Sequence, residues 1–211
     1  METKILRIGS QILNAGDTGF AKGDRFGSQI SQSFFADQVA AGNGYIATKT
    51  AAASITALGD TNSTLWNPAN SDRLIIIEKV AIGSAAVNTA VMTAFQYGWQ
   101  QTNTGVTQAT DGPVKTFTHV DPINRLLGSQ GVARCRWAPA VCSFTTAPAL
   151  LAVVGFNLSA TVSSFGNQID YVNGGIMLMP GALLQVGAST ATSTTFHVSI
   201  YFVEVDLDYT A

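Results

Sequence analysis

Apolar and polar residues alternate along much of the chain from Tyr45 to Val205, with the spacing of β-strands. Ser54–Leu58 alternates residue by residue, whereas Arg73–Gly83 is a long run rich in β-branched residues. Alternation is typical of a strand with one buried face, and a continuous apolar run is typical of a strand buried on both faces. Because no segment carries a convincing 3.6-residue period, the pattern predicts an all-β antiparallel sandwich.

The last third of the chain gives the clearest strand prediction, over Thr195–Val205. Successive side chains of a strand point to opposite faces. One face of this strand is apolar and is expected to form the core, with Glu204 at its end: Phe196, Val198, Ile200 and Phe202. Further strands are predicted near 45–50, 90–99, 150–162, 176–179 and 182–187. Residues 113–149 contain four prolines, which favours edge strands or irregular structure there.

Residues 1–44 differ from the rest of the chain. Between Gly16 and Gly27 a glycine recurs every few residues, which defeats a regular helix. We therefore predict an extended N-terminal arm over 1–44, with a short helix near Gln29–Ala40, followed by a β domain over 45–211. Isolated aromatic residues in such an arm are typical of anchors that dock on another surface, and the alternative is a terminus without a docking site. The predicted anchors are Phe20, Phe26, Phe34 and Phe35.

Charge is scarce in this sequence. Charged residues make up 11% of the chain, against about 25% in typical soluble domains. Neutral hydroxyl and amide groups cost less to bury than charges do, so such a surface favours tight self-association. The net charge of −2 and the lack of a Lys/Arg cluster argue against a nucleic-acid partner.

Candidate catalytic and metal-binding groups are few and scattered. His119 and Asp121 could share one face of a strand, but no nucleophile accompanies them. Asp206 and Asp208 could bind calcium together with Glu204, and the alternative is a solubilising acidic terminus. We expect a protein that is not an enzyme, with no catalytic residue, no metal site and no cofactor.

The sequence also bears on compartment. No apolar run resembles a signal peptide or approaches the roughly 20 residues that span a bilayer. We expect a protein that is made in a cytoplasm and has no membrane partner. In that reducing environment Cys135 and Cys142 are expected to be free thiols.

Two sets of residues are candidates for recognition. Arg134, Arg136 and Trp137 could form part of an interface in which the two guanidinium groups meet an acidic partner, and simple exposure is the alternative. The three tryptophans could stack on sugars, although Trp more often fills core or interface volume: Trp66, Trp99 and Trp137.

Three features together resemble the jelly-roll structural proteins of tailed bacteriophages, which include capsid decoration (cement) proteins and some tail or fibre modules. They are Leu65-Trp66-Asn67-Pro68 before an apolar strand, the Met179-Pro180-Gly181 turn before a short apolar strand, and the closing strand Phe196–Val205. The resemblance covers roughly 45–205 and rests on pattern rather than on an invariant motif. It implies a jelly-roll-like sandwich, and a homotrimer seated on a shell of major capsid protein with arms that reach neighbouring subunits. It carries over no catalytic residue.

Two functions from different classes follow from these observations. The first is a virion structural protein that decorates the capsid surface as a trimer and stabilises the shell. The second is a tail or fibre module that binds a receptor or a glycan through exposed Trp or Tyr side chains. The aromatic residues of the N-terminal arm favour the first, because a fibre domain would use its N-terminus as a linker.

Overall fold

The computed structural model describes residues 33–48, 53–54, 58–59, 63–84, 92–101, 114–117, 120–138, 142–144, 147–158, 168–189 and 195–207. These ranges hold one helix, α1 (Phe34–Ala40), and fourteen strands. In chain order the strands are β1 (Gly44–Thr48), β2 (Ala53–Ser54), β3 (Ser63–Trp66), β4 (Arg73–Ser84), β5 (Met92–Gln101), β6 (Val114–Phe117), β7 (Ile123–Asn124), β8 (Arg136–Ala138), β9 (Cys142–Phe144), β10 (Ala149–Leu158), β11 (Gln168–Asp170), β12 (Met177–Leu178), β13 (Ala182–Ala188) and β14 (Thr195–Asp206).

The strands form two antiparallel sheets that face each other. Sheet I has the order β11-β4-β14-β1-β7, with β12 also on β4 and β2 also on β14. Sheet II has the order β10-β5-β13-β3-β8, and β6 and β9 form a separate two-stranded ribbon. The all-β sandwich predicted from the alternation pattern is confirmed.

The strand pairs of the two sheets are nested along the chain. The first strand pairs with the last, β1 with β14, and β3 pairs with β13. Inside these, β4 pairs with β11 and β12, and β5 pairs with β10. Successive pairs alternate between sheet I and sheet II, so the chain crosses the sandwich repeatedly as it folds inward. Central strands then join neighbouring pairs, β14 to β4 and β13 to β5.

The core lies between the sheets and is made from one face of each strand. Phe196, Val198, Ile200 and Phe202 of β14 are fully buried, as the alternation predicted, and the Phe196 ring meets the Phe95 ring of β5 edge-on at 5.2 Å. Burying side chains of this size contributes about 1.5–3 kcal/mol each. On the opposite sheet the core positions include Leu184 and Val186 of β13.

A further layer covers the outer face of sheet II. Trp66, Ala138 and Leu183 pack there against Phe144 of the β6–β9 ribbon. Gln185 is also buried on this face, where its amide donates to the Gly59 carbonyl and accepts from the Gly59 N–H at 2.7 Å. Because both faces are covered, every residue of β13 is buried, which explains its continuous apolar run.

Helix α1 covers part of the outer face of sheet I. The Ser33 hydroxyl accepts from the Ala36 N–H and caps its first turn. Phe35 lies close to Gly174 beside Ile76, and Val39 packs on Gly44 at the start of β1. The helix lies within the predicted range 29–40. The remainder of the predicted arm, residues 1–32, lies outside the described residues.

Strand β4 corrects one expectation. Arg73–Gly83 was expected to be buried on both faces, yet Glu78 and Lys79 on its outer face are partly exposed. Beyond α1 this face of sheet I carries no covering layer among the described residues. The apolar run therefore reflects a buried inner face together with Ile76, which is buried on the outer face close to Gly174.

Two motifs that are distant in sequence lock together at one end of the sandwich. The buried Asn67 side chain donates to the carbonyl oxygens of Arg73 and Leu178 at 2.8 and 2.9 Å. The Gly181 N–H donates to the Asn67 carbonyl, and the Asn67 N–H donates to Ala182. Gly181 has φ +86°, a conformation that glycine adopts without strain. The Trp-Asn-Pro and Pro-Gly segments are thus parts of one junction.

The contact between α1 and β1 can be tested at Gly44. A Cβ at this position would overlap the Val39 Cγ2 methyl and lie 3.1 Å from Val39 Cα, so Gly44→Ala must displace the helix. We expect a loss of about 1–3 kcal/mol in the free energy of unfolding, measured by chemical denaturation. Adding Val39→Ala, which removes that methyl, should make the double variant lose less than the sum of the single losses. Unchanged stability of Gly44→Ala would show that α1 does not pack here.

Candidate interaction surface

One group of exposed apolar side chains lies between Val120 and Val132, at the side of the sandwich where β7 and β8 end the two sheets. We call residues 120–134 the 120–134 surface. Strand β7 is the last strand of sheet I and β8 is the last strand of sheet II, so this segment closes one side of the sandwich. Leu127 is 86% exposed and Val132 is 63% exposed. The other large apolar side chains exposed on the surface are Val120, Ile123 and Leu126.

A buried carboxylate holds this surface against the core. Glu204 of β14 points inward with Phe202 and is only 3% exposed. Its two oxygens accept from the Arg134 N–H at 2.9 and 3.0 Å and from the Cys135 N–H at 2.9 Å. A buried carboxylate is tolerated only where donors satisfy it, and here backbone N–H groups supply them. The Glu204 side chain thereby fixes where the segment turns into β8.

Asn124 holds the opposite end of the same segment. Its amide donates to the Gly42 carbonyl at 2.7 Å, and its carbonyl oxygen accepts from the Leu126 N–H at 2.8 Å. The Arg125 N–H donates to the Gly44 carbonyl. Both ends of the segment are therefore bonded to sheet I, and Leu126 and Leu127 lie exposed on a turn that these bonds hold in place.

Two groups beside Glu204 have pKa values that are raised by their own burial and by the Glu204 charge. Burial, and next the Glu204 carboxylate, raise the pKa of the Cys135 thiol well above its usual value. The same two causes raise the pKa of Tyr45, whose ring stacks on Phe202 at 5.8 Å. Cys135 is a free, fully buried cysteine, so it is a neutral packing group rather than a nucleophile.

Charged groups at the 120–134 surface are mostly paired. Arg136 reaches Asp121 at 3.3 Å, and Arg125 pairs with Glu78 while its guanidinium lies over the Tyr201 ring at 5.5 Å. Arg134 is exposed, and among the described residues no carboxylate pairs with its guanidinium. The surface thus offers a mainly apolar area with one cation available to a partner.

The three predicted interface residues differ in their exposure. Arg134 lies in the 120–134 surface and Arg136 follows it on β8, and their contact with a partner stays a prediction. Trp137, by contrast, is fully buried, and its indole N–H donates to the Thr48 carbonyl at 3.0 Å. Its ring belongs to the core and cannot contact a partner while the sandwich is closed. The cause is its pairing: Trp137 lies opposite Leu65 on β3 and points between the sheets.

The predicted arm anchors are only partly described. Phe34 and Phe35 lie on α1, with their rings edge to face at 5.4 Å. Phe35 contacts the sandwich beside Gly174, whereas Phe34 remains partly exposed. Phe20 and Phe26 lie outside the described residues.

A second group of exposed apolar side chains lies on the opposite side of the sandwich, where β10 and β11 are the end strands. We call residues 149–158 and 168–179 the β10–β11 edge. The Tyr97 hydroxyl of β5 donates to Asp170 of β11 at 2.9 Å and ties the two sheets together here. Burial and then this bond raise the pKa of Tyr97. The large side chains exposed on the edge are Leu150, Leu151, Val153, Ile169, Tyr171, Met177 and Met179.

Other kinds of site find no positive support in the residues described. No group of three or more His, Cys, Asp or Glu side chains within them could hold a metal ion. Of the calcium candidates, Glu204 is bound to backbone N–H groups, Asp206 pairs with Arg73, and Asp208 lies outside the described residues. Within the same ranges, no helix is long and apolar enough to cross a membrane.

Sequence reasoning did not identify the apolar residues of the 120–134 surface. The prolines flanking them gave a correct prediction of short or irregular structure, and β7 and β8 are indeed end strands. Ile123, Leu126, Leu127 and Val132 carry no periodicity that separates exposed from buried positions. The sequence did contain a signal, because large apolar residues in a segment without strand alternation are not accounted for by packing within that segment and indicate a contact elsewhere.

The anchoring role of Glu204 predicts a large effect of a small change. Glu204→Gln keeps the volume but removes the charge, and it places an NH2 donor where Oε2 accepts from the Arg134 N–H. Two donors then face each other, and only Oε1 remains to accept from the Arg134 and Cys135 N–H groups. We expect a loss of about 1.5–3 kcal/mol in the free energy of unfolding and faster hydrogen exchange at those two amides. Asp206→Asn on the same strand is the control, because its side chain is 75% exposed and its pair with Arg73 should contribute less than about 1 kcal/mol. Equal effects of the two substitutions would contradict the anchoring role.

Comparison with known proteins adds no assignment. No protein-family model, no curated protein and no solved structure matches the chain.

Proposed function

We propose that this chain is a non-enzymatic structural protein of a virion, which binds the capsid shell as a homotrimer and stabilises it. On this proposal the partners are copies of the chain and the major capsid protein, and the location is the capsid surface. The function consists of forming contacts, so the residues that matter are those on the surface and in the arm rather than in a cleft.

The strand order supports the jelly-roll part of the proposal. A jelly roll is a double-sheet sandwich of eight strands with two Greek keys, common in viral capsid proteins. The nested pairs β1–β14, β3–β13, β4–β11 and β5–β10, alternating between two sheets, fit that order. Because one fold serves many functions, the order supports an architecture and does not by itself support a role.

The 120–134 surface is the observation that carries the proposal. Soluble monomers rarely expose a large contiguous apolar patch, and such patches mark interaction sites. Here Leu127 and Val132 are mostly exposed on a segment that Glu204 and Asn124 hold in place. Charged residues make up only 11% of the chain, so few charges are present to oppose association of such a surface with other molecules. An obligate assembly explains both features together.

The test is the solution mass of the purified full-length protein, alone and mixed with undecorated capsid shells. We expect a trimer that co-sediments with shells. A variant that lacks residues 1–32 keeps α1 and every described strand, so it should remain trimeric while binding shells at least tenfold more weakly, since linked contacts raise avidity.

Full-length Phe20→Ala/Phe26→Ala separates the aromatic anchors from the rest of the arm and should lose most of the same shell binding. Asn70→Ala, in the exposed turn between β3 and β4, is the control for removal of an exposed side chain. A stable monomer that does not bind shells would refute the proposal.

A tail or fibre module that binds a glycan is the second candidate function. Trp99 is 44% exposed and Tyr171 is 61% exposed, and aromatic rings of this kind can stack on sugars. Trp66 and Trp137 are buried, which leaves Trp99 as the tryptophan for this role among the three.

On this second candidate, Trp99→Ala should abolish binding on a glycan array without lowering the melting temperature by more than a few degrees. Trp66→Ala is the contrasting variant, because it removes a buried ring and should destabilise the fold instead. An array on which the unmodified protein binds no glycan would exclude this candidate.

A further inference from the structure

The two exposed apolar regions lie at opposite sides of one sandwich. The 120–134 surface adjoins β7 and β8, which end sheets I and II on one side, and the β10–β11 edge ends the same sheets on the other. The bond of Tyr97 to Asp170 ties the sheets at the second side, and the bonds of Glu204 and Trp137 tie them at the first. A copy of the chain therefore has two separate exposed apolar regions, one at each side of the sandwich.

This placement distinguishes between kinds of self-association. A two-fold dimer uses one patch twice and would leave the other side of each copy uncovered. A head-to-tail contact uses both patches, each once, and generates a ring where the rotation closes. The head-to-tail arrangement is thus the one that covers both apolar sides of every copy with a single kind of interface.

The composition of the two sides fits such a contact. Asp170 is the only charged residue in the ranges 149–158 and 168–179, whereas Arg134 on the 120–134 surface has no carboxylate partner among the described residues. Charges of the other sign are already engaged on each side: Asp121 pairs with Arg136 at the first, and Lys79 lies over the Tyr171 ring at the second. A pair between Arg134 and Asp170 is therefore the new charge contact that a head-to-tail arrangement would add. A stable interface needs about 800 Å² from each partner, or about 20–30 residues. Residues 149–158 and 168–179 provide a segment of that order, and residues of β8 such as Arg136 would have to extend the shorter 120–134 surface.

Strand β10 adds a reason for covering the second side. It is ten residues long and, among the described residues, pairs only with β5. A long apolar strand at the end of a sheet presents unpaired backbone groups and associates with other chains unless something covers it. A specific neighbour on this edge would prevent uncontrolled association.

We propose that the 120–134 surface of one copy docks on the β10–β11 edge of the next copy, so that the chain assembles as a closed head-to-tail ring. Leu127 and Val132 would pack against Leu151 and Val153, with Arg134 near Asp170 of the neighbour. The inference rests on the proposed function, since it names the surfaces through which the structural protein self-associates.

The test uses two full-length variants, each with one side blocked. Leu127→Asp/Val132→Asp blocks the 120–134 surface, and Leu151→Asp/Val153→Asp blocks the β10–β11 edge. All four positions are at least 44% exposed, so the changes should leave the fold intact, which circular dichroism and thermal melting check. Each variant alone should be monomeric, with self-association weakened on the order of 100-fold. Asn70→Asp should assemble like the unmodified protein.

An equimolar mixture of the two variants provides the decisive measurement. Each variant retains the side that the other lacks, so a head-to-tail contact predicts a 1:1 heterodimer that cannot grow further. A two-fold contact through the 120–134 surface predicts instead that the β10–β11 variant dimerises alone and that mixing forms no heterodimer. Either that result, or assembly of both variants like the unmodified protein, would overturn the proposal.

Shell binding by the same proteins separates this inference from the proposed function. If the unmodified protein is monomeric but binds shells, the ring is wrong and the structural role stands. If it neither self-associates nor binds shells, both fail. Should the β10 variant not fold, Tyr171→Asp on the same side, at a largely exposed position, replaces it in the mixture.

Discussion

The pairing of β14 with β4 and β1 is the interaction on which the rest of the structure depends. β14 runs through the middle of sheet I, where it pairs with β4 from Phe196 to Asp206 and with β1 from Ser199 to Val203. Its inward side chains fill the centre of the core and end in Glu204. Because β1 and β14 are far apart in the chain and pair here, sheet I cannot close until both strands are present. Such long-range pairing slows folding, since the entropy of closing the chain must be lost before the contacts form.

Glu204 connects that core to the outside of the molecule. It stands at the end of the buried face of β14, and its carboxylate binds the backbone at Arg134 and Cys135. The apolar side chains of the 120–134 surface are consequently carried on a segment whose two ends are fixed to sheet I. A surface held in one conformation loses little conformational entropy when it binds, which favours a specific partner over loose aggregation.

The scarcity of charge has different consequences on different faces. On sheet II a further layer covers the outer face around β3, β8 and β13, so neutral and apolar residues there are buried. On sheet I the outer face keeps Lys79 against the Tyr201 ring at 4.5 Å and an ion pair between Arg125 and Glu78. The two sides of the sandwich retain the exposed apolar residues. The scarcity of charge therefore affects the faces unequally, and it is at the two sides of the sandwich that it leaves apolar residues available for contact.

The sequence by itself determined the β class and the inner face of the strongest strand. Alternation has a period of two whatever the neighbours are, so Phe196–Phe202 could be assigned to the core. The prolines of 113–149 predicted short edge structure, because proline cannot join a central ladder. What tertiary structure alone decided was which strands pair and what lies over each face. Trp137 became a core residue because β8 pairs with β3, and Leu127 became a surface residue because Glu204 and Asn124 hold its segment at the side of the sandwich. Burial of this kind depends on contacts between residues far apart in the chain, and no local pattern encodes them.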